Sequence, residues 1–596
     1  MSLSRLILRI QPFVEADVTA MNVASNMNRT SHCDGNPLTP RSSPRSQYVL
    51  FASLCDGRKR ASVVHAADPS LPACWEQLWT RARRVAAARQ IDVCWLRVDW
   101  VVQAIPLSLR QLRQELATTK RNYFRHGLAL DHEMEFVFLE QELNANAILY
   151  GGNQVQHAIL NEHNLGVYMR TRYGREMARS HGRVPLSGDE QQVFKLETAG
   201  AFCSTGEPTP VRLCAGGLST GRRDIALDED CAWQLIDSGS RYLAHQVQAD
   251  GRFHYGWHPC FDRAIPTYNS LRHASSVYAM IEAWEVTRRP DLMDAIERAL
   301  DHLTTALIRV QAHRSGSSGS EIAEAFLVDA GDEVKLGGNA VCLLALCKYT
   351  EITGNARYLP LLEQLGQGIL RMQVANTGAF VHVLRYPDLS VKEPFRIIYY
   401  DGEAAFGLMR LYALTQDSRW LRAVESAFEY FIAAEHWRAH DHWLSYCVNE
   451  LTRCRSESRY YEFGLRNVAG HLDFVQHRIT TFPTLLELMT AASSMLSRLQ
   501  GLPELQHLLE MIDLPKFHKA MAHRATRLLD GHFWPEYAMY FRNPGKMRGS
   551  FFIRHHAFRV RIDDVEHYLS GLVGYHNHLR SNRSNRSDIG TDHRRP

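Results

Sequence analysis

The sequence predicts a mainly α-helical protein in which an (α/α)6 toroid follows a small α+β domain. Three observations predict this fold class. Strand and helix patterns alternate between residues 46 and 200, a stretch rich in Gly, Ser, Thr and Pro follows, and the remaining chain is almost entirely helical with a repeated pattern. The length of 596 residues is sufficient for more than one domain with its own core.

The predicted α+β domain occupies residues 46–200. Residues 48–55 and 61–65 have strand composition and flank the turn Asp56-Gly57. Further strands are predicted at 92–102, 135–139 and 147–150, and helices at 75–89 and 106–119. We find no motif in this domain that indicates a chemical reaction, so its role stays unassigned.

The segments around the two domains are predicted from composition. Residues 1–45 are expected to form a flexible arm, because much of this segment is Asn, Ser, Thr, Pro and Arg and has little to bury. Residues 201–224 are expected to be a linker. The tail 578–596, with its Ser-Asn-Arg repeats, is expected to be disordered and basic.

A repeated motif predicts the toroid. Residues 242–246 (YLAHQ) end a helix and precede 250–253 (DGRF), while 369–373 (ILRMQ) end another and precede 377–380 (TGAF). Paired helices that recur at a regular spacing form hairpins stacked on their neighbours. We count six hairpins between residues 225 and 577, with second helices beginning near 269, 337, 401, 443, 482 and 556. They would close into a toroid, and an open helical scaffold for protein partners is the alternative.

Composition narrows the range of functions. The net charge of +4 is small for this length, so it indicates neither nucleic-acid nor membrane binding. No apolar run approaches the ~20 residues that cross a bilayer. The twelve cysteines are scattered without a Cys-x-x-Cys pair, which favours reduced thiols in a cytoplasmic protein over disulfides or a zinc cluster. We predict no cofactor.

Ionisable and aromatic residues cluster where the second helices are predicted to begin. In a closed toroid these helices line the centre and begin at one rim, where their N-termini add partial positive charge. The residues are Tyr268, Arg272 and His273 in hairpin one, Asn339 in hairpin two, Tyr400, Asp401 and Glu403 in hairpin three, Trp443 in hairpin four, and Arg554 and His555 in hairpin six, with Trp257 in the loop before the first.

These residue types suit sugar chemistry. Asp401 and Glu403 are candidates for general acid and base, assisted by His273 and Tyr268. The other candidates are predicted to bind substrate: Arg272 and Arg554 through a carboxylate, Tyr400, Trp443 and Trp257 by stacking on sugar rings, and His555 and Asn339 by hydrogen bonds. Asp401 and Glu403 can equally be helix caps, and Arg272 and His273 can equally connect neighbouring hairpins.

Two further polar groups receive structural interpretations. His436, His440 and His442 have a spacing that resembles metal ligands, but no fourth ligand is evident. We interpret them as a surface loop and predict no metal. Asp563-Asp564 is interpreted as a solvated helix start.

The organisation of residues 225–577 resembles the six-hairpin superfamily of carbohydrate-active enzymes, which includes glycoside hydrolases, polysaccharide lyases, N-acylglucosamine 2-epimerases and uronyl epimerases. The motifs that carry the resemblance are Asp250-Gly251-x-Phe253, Tyr268-Asn269-x-x-Arg272-His273 and Tyr400-Asp401-Gly402-Glu403. It implies an enzyme that hydrolyses, eliminates or epimerises an anionic, uronate-containing oligo- or polysaccharide. The alternative is a non-catalytic toroid that binds a glycan or protein and regulates polysaccharide synthesis.

Overall fold

The structure is a computed structural model that describes residues 2–30, 47–174, 186–314 and 321–591. Its first part contains a seven-stranded sheet in the order β2-β1-β3-β6-β4-β5, with β7 paired to β6. Neighbouring strands of this sheet run antiparallel. The strands are β1 (Tyr48–Cys55), β2 (Ser62–Asp68), β3 (Trp95–Ser108), β4 (Gly127–Ala129), β5 (Val137–Phe138), β6 (Gln192–Ser204) and β7 (Val211–Leu213).

Helices cover this sheet, at Leu71–Ala88, Leu109–Thr118, Glu140–Ala145 and Glu162–Arg172. The predicted α+β character agrees with these elements, but two details differ. β3 continues through Ser108, whose side chain then caps the helix that was predicted to begin at residue 106. Residues 147–150 form turns rather than the predicted strand.

The chain begins with a helix, Ser2–Thr30, where a flexible arm was predicted. Leu6, Ile10, Val14 and Val18 recur at four-residue intervals and are buried against the sheet, which is the spacing of one helix face. Composition alone suggested disorder because the polar stretch follows this face. Residues 31–46 lie outside the described residues.

The predicted linker 201–224 also differs from the structure. Residues 201–204 complete β6, and Val211–Leu213 form β7 at its side. Arg222 is buried and its Nε donates to Asp530 Oδ1 at 2.8 Å. The small and polar residues of this segment therefore pass through a junction between the two parts of the molecule.

Six inner helices form a closed ring. They are Ser270–Thr287, Leu336–Thr353, Tyr399–Thr415, His442–Cys454, Thr484–Gln500 and Ile562–Thr591. Each packs on the next, and the last packs on the first. The predicted (α/α)6 toroid is confirmed, and the open scaffold is excluded because closure leaves no free end.

Six outer helices surround the ring, at Glu229–Gln246, Pro290–His302, Leu359–Arg371, Ser418–Ala433, Ser458–Ala469 and Leu514–Leu528. Burial distinguishes the two layers. The inner helix Leu336–Thr353 is buried at every position from 336 to 347, whereas the outer helix Pro290–His302 buries one face, as expected for a helix with solvent on its other side.

Small sheets and short helices occupy the loops that lead from outer to inner helices. Two sheets consist of β8 (Gly256–His258), β9 (Arg263–Ala264) and β15 (Val560–Arg561), and of β10 (Ile308–Arg314), β11 (Glu321–Asp329), β12 (Glu333–Lys335), β13 (Val383–Arg385) and β14 (Val391–Glu393). The short helices are Leu472–His477, Pro535–Ala538 and Pro544–Met547. Nowhere in the described ranges is there a helix both long enough and apolar enough to span a bilayer.

The sixth hairpin differs from the prediction at both ends of its inner helix. The helix begins at Ile562 rather than near residue 556, because Arg554–His556 forms a separate 3-10 turn. It then continues to Thr591, so most of the predicted disordered tail is helical. Residues 592–596 lie outside the described residues.

The α+β domain docks on the long loop before this last inner helix. Arg97, fully buried with Asp99 at 2.7 Å, donates to the backbone carbonyls of Gly221 and Glu536. Ser53 Oγ lies 2.8 Å from Tyr540 Oη. Apolar residues of both domains, such as Phe51 and Phe541, also belong to one hydrophobic cluster, so the contact combines apolar packing with buried, hydrogen-bonded polar groups.

Candidate active site at the ring centre

The rim formed by the inner-helix starts contains a buried group of acids and histidines. Its members come from hairpins three to six: Glu403, Asp441, His442, Glu487, Asp563 and Glu566, which are buried, and His567, a quarter of whose side chain is exposed. Charged groups this deep in a protein require partners or shift their pKa values. The arrangement therefore determines which of them hold protons.

His442 is the first residue of the fourth inner helix and is 3% exposed. Asp441 caps that helix, since its Oδ2 accepts from the backbone N–H of Leu444 at 2.9 Å. Its other oxygen lies 3.2 Å from His442 Nδ1. That oxygen has no hydrogen-bond partner among the described residues, so its contact with Nδ1 is electrostatic only, and His442 Nε2 is likewise a buried atom without a partner there. His442 is thus positioned to accept a proton.

His567 lies against His442, with ring centroids 5.4 Å apart. Its Nδ1 is 3.0 Å from Glu487 Oε2 and 3.4 Å from Glu566 Oε1. Burial alone would lower its pKa, but Glu566 and Glu487 raise the pKa of His567 to about 10. This ring is therefore a cation at neutral pH and can donate a proton.

Glu403 supplies a second proton donor. It is 4% exposed, and its Oε2 has no hydrogen-bond partner within the described part of the chain. Burial, followed by repulsion from Asp441, raises the pKa of Glu403 to about 8. The carboxyl is consequently protonated at neutral pH and, unlike a helix cap, accepts no backbone hydrogen bond from any residue that the structure describes.

Arg272 lies at the first inner-helix start, where it was predicted to bind substrate. Its Nε is 2.9 Å from Asp563 Oδ2, and it also donates to Tyr255 Oη. Burial and the neighbouring Asp564 raise the pKa of Asp563. With a third of its side chain exposed, Arg272 remains accessible while being paired within the protein.

His273 and Tyr268, which were predicted to assist catalysis, have hydrogen bonds that support the fold. His273 is fully buried, with Nε2 at 2.9 Å from the carbonyl of Ala299 and Nδ1 at 2.8 Å from Tyr268 Oη. Burial lowers the pKa of His273 to about 4. Tyr268 Oη also accepts from the backbone N–H of Phe253 at 3.1 Å, which connects the repeated DGRF motif to the inner helix.

Asp401 and Asn339 are similarly engaged. Asp401 Oδ2 lies 3.2 Å from Nε2 of the buried His382. Asn339 accepts from the N–H of Leu327 and donates to the carbonyl of Lys335, both at 2.8 Å. Both residues anchor an inner-helix start to the preceding loop.

The predicted aromatic platforms are mostly covered. Trp443 is 3% exposed and packs beside Phe406, while Tyr400 is buried beside His382. Trp257 lies in β8 with Lys546 Nζ 3.9 Å from its ring centroid. These positions leave little of their faces free for a sugar.

Arg554 and His555 lie at the junction with the α+β domain. Arg554 is buried, 3.5 Å from Glu140 and 2.9 Å from Tyr537 Oη. The carbonyl of His555 accepts from Arg121 at 2.6 Å. Arg554-His555 repeats the residue pair Arg272-His273 in sequence but not in position. Arg272-His273 lies within an inner helix, whereas Arg554-His555 lies in a separate turn before one.

Sequence reasoning missed several residues of the site. Glu487 is a single carboxylate within an apolar helix, Glu566 and His567 follow Asp563-Asp564, and His442 was assigned to a surface loop. Asp563 and Asp564, expected in solvent, are buried. Glu487 could have been found because it is a carboxylate within a run of apolar residues. Burying such a group costs free energy unless it has a partner or a function.

One group of residues could hold a metal ion. Within the described ranges, His442, Glu487 and His567 have ligand atoms within 4.8 Å of one another. Two imidazoles and a carboxylate suit a divalent transition metal. The absence of a metal thus stays a prediction, while His436 and His440 belong to no such group.

Comparisons with known proteins were made for the whole chain. No family model matches the sequence, and no curated protein matches it. Among solved structures, the chain is similar to a cellobiose 2-epimerase from Bacillus thermoamylovorans (10% identity, TM-score 0.44, 59% of this chain and 100% of that one). It is also similar to a D-mannose isomerase (11%, 0.43, 59% and 99%) and to an alpha-1,6-mannanase from a Salegentibacter species (10%, 0.39, 58% and 99%).

The six-hairpin toroid of this chain follows from the contacts within its own ring of inner helices. At TM-scores of 0.39 to 0.44 these similarities carry no conclusion about its activity, since one fold supports many functions.

Proposed function

We propose that the protein is a carbohydrate-active enzyme that transfers a proton at a sugar carbon beside a carbonyl group, as in epimerisation or isomerisation. The observation that supports this most is a buried histidine nitrogen without a partner, beside His567 and in the group of charges that also acts on Glu403. His442 Nε2 is unpartnered within the described residues, whereas Glu403 and His567 hold protons at neutral pH.

The proposed reaction needs a proton acceptor and a proton donor at the same time. His442 takes the proton from the carbon, and the electron pair moves onto the carbonyl oxygen. Glu403 or His567 donates a proton to that oxygen, so that an enediol rather than a free anion forms. Return of a proton to the opposite face of the same carbon, while the oxygen gives its proton back to the donor, completes epimerisation. Return of a proton to the neighbouring carbon, while the other enediol hydroxyl loses its proton, completes isomerisation, and neither route consumes protons.

A neutral sugar is our preferred substrate. The two arginines expected to bind a uronate are engaged, Arg272 with Asp563 and Arg554 with Glu140. A substrate carboxylate would have to compete with those partners. The uronate remains the second candidate because a third of the Arg272 side chain is exposed, and a proton beside a carboxylate can be abstracted by the same base.

The test is hydrogen exchange with solvent. The protein is incubated in D2O with neutral aldoses and reducing disaccharides, and separately with oligouronates, and products are followed by NMR. We expect deuterium at C2 of a neutral sugar, and loss of about 10² to 10⁴-fold in rate for His442→Ala. His440→Asn is the matched control, since His440 lies two residues away, with its Nδ1 on the carbonyl of Asn467 and its ring stacked on His471.

Other outcomes would replace this proposal. Deuterium at C5 of a uronate would select the second candidate, and cleavage without exchange would indicate a hydrolase. Saturable sugar binding without any product would favour the non-catalytic toroid. Loss of exchange on adding a chelator, with recovery on adding metal, would assign His442, Glu487 and His567 to metal binding.

A further inference from the structure

A small cavity lies where the α+β domain meets the toroid, away from the His442 site. Side chains from both domains line it, including Arg125, Arg222, Arg554, Asp530 and Tyr537. The cavity measures about 10 Å³, which is close to the minimum that accommodates one water-sized species.

Positive charge exceeds negative charge around this cavity. Asp530 lies 2.8 Å from Arg222 Nε and also pairs with Arg527. Glu140 lies 3.3 Å from Arg125 and 3.5 Å from Arg554. Four buried arginines therefore share two buried carboxylates, with 6% to 8% of each arginine exposed.

The surrounding groups do not balance this charge. Arg223 is paired with Glu536 and Glu207, but Arg524 is fully buried and, among the described residues, donates only to backbone carbonyls. When Arg223, Arg524, Glu536 and Glu207 are added to the residues around the cavity, the group contains six arginines and four carboxylates. Burial raises the pKa of the nearby Tyr123, so its phenol adds no negative charge.

Arg125 provides hydrogen-bond donors that nothing in the described protein accepts. It is 8% exposed, and both its Nε and its Nη1 lack a hydrogen-bond partner. Glu140 is close enough to Nη1 for attraction, at 3.3 Å, but not aligned for a hydrogen bond. Unsatisfied buried donors beside excess positive charge are costly unless something binds to them.

We propose that this cavity binds a monatomic anion such as chloride, which completes the charge balance between the α+β domain and the toroid. Its size excludes a phosphate or carboxylate without rearrangement. The donors are those of Arg125, with the charges of Arg222 and Arg554 on the same cavity wall. The anion would bind the folded, docked molecule and not the unfolded chain.

Crystals of the full-length protein grown without halide and soaked in bromide give the direct test. We expect an anomalous peak within contact distance of Arg125 and none at that place in unsoaked crystals. A water molecule that persists after soaking, without anomalous signal, would overturn the proposal.

A solution test uses unfolding in sodium chloride and in sodium gluconate at matched ionic strength. Chloride is expected to multiply the equilibrium constant for folding by a factor of one plus the ratio of the free chloride concentration to its Kd. Arg125→Gln should lose this difference, and the exposed Arg438→Gln should keep it. Equal unfolding of the wild type in both salts would overturn the proposal, even if Arg125→Gln fails to fold.

Discussion

At the scale of single residues, the candidate catalytic groups differ from the structural groups around them because they contain buried polar atoms without hydrogen-bond partners in the described chain. Asp401, Asn339 and His273 each have partners on a neighbouring segment. Glu403 Oε2 and His442 Nε2, by contrast, are buried atoms without partners in the described chain. Residue type and position at a helix start predicted Asp401, Asn339, His273 and Glu403 equally well and missed His442, and only the surroundings distinguish them.

The protonation of Glu403 predicts the alkaline limb of the pH profile. Its pKa of about 8 means that the acid form is present below pH 8 and is lost as the pH rises through that value. If this carboxyl is the donor, kcat/KM should fall about tenfold per unit above pH 8, while His567, with a pKa of about 10, stays charged.

The check is a pH–rate profile of the wild type and of Glu403→Gln. The variant should be slower by about 10² to 10⁴-fold and lose the inflection near pH 8. A wild-type profile that is flat from pH 7 to 9.5 would assign the donor role to another group.

At the scale of elements, close approach of two inner helices positions Glu403. Gly337, in the first turn of the second inner helix, has no side chain, and a Cβ atom there would lie 1.9 Å from Glu403 Oε2 and 2.4 Å from the Tyr400 ring. Gly338, the next residue, would place its Cβ no closer than 3.4 Å to Leu327. The position of Glu403 therefore requires glycine at residue 337 and does not require it at residue 338.

We predict that Gly337→Ala lowers kcat/KM by at least tenfold, because Glu403 and Tyr400 must move. Gly338→Ala should leave activity unchanged, and alanine favours the helix by about 1 kcal/mol relative to glycine at either position. Steady-state kinetics with circular dichroism tests this pair. Equal activity of both variants would show that the position of Glu403 is unimportant for the reaction.

At the scale of the whole molecule, domain docking was the feature hardest to derive from the sequence. The six hairpins and their closure were predictable because a helix–loop–helix motif repeats along the chain. Docking depends on pairs hundreds of residues apart, such as Ser53 with Tyr540 and Arg97 with the carbonyl of Glu536. Polar residues at such a junction resemble a linker when read along the chain.

Breaking this junction should destabilise the folded protein. Arg97→Gln leaves Asp99 buried without its partner, and we expect a loss of about 3–5 kcal/mol in the free energy of unfolding. The measurement is urea unfolding followed by fluorescence and circular dichroism. Arg438→Gln, at an exposed ion pair, should change stability by about 0.5 kcal/mol or less, and a similar change for both variants would contradict a stabilising junction.

The mainly α fold class, the six hairpins and the α+β domain could be predicted from the chain, because they follow from a repeated motif, local periodicity and composition. The same patterns indicated Glu403 and Arg272. The folded molecule was needed to show that Glu487, Glu566 and His567 join His442 at the ring centre, and that Arg554 belongs to the domain junction. Protonation and hydrogen bonding depend on neighbours distant in sequence, and ring closure brings these neighbours together.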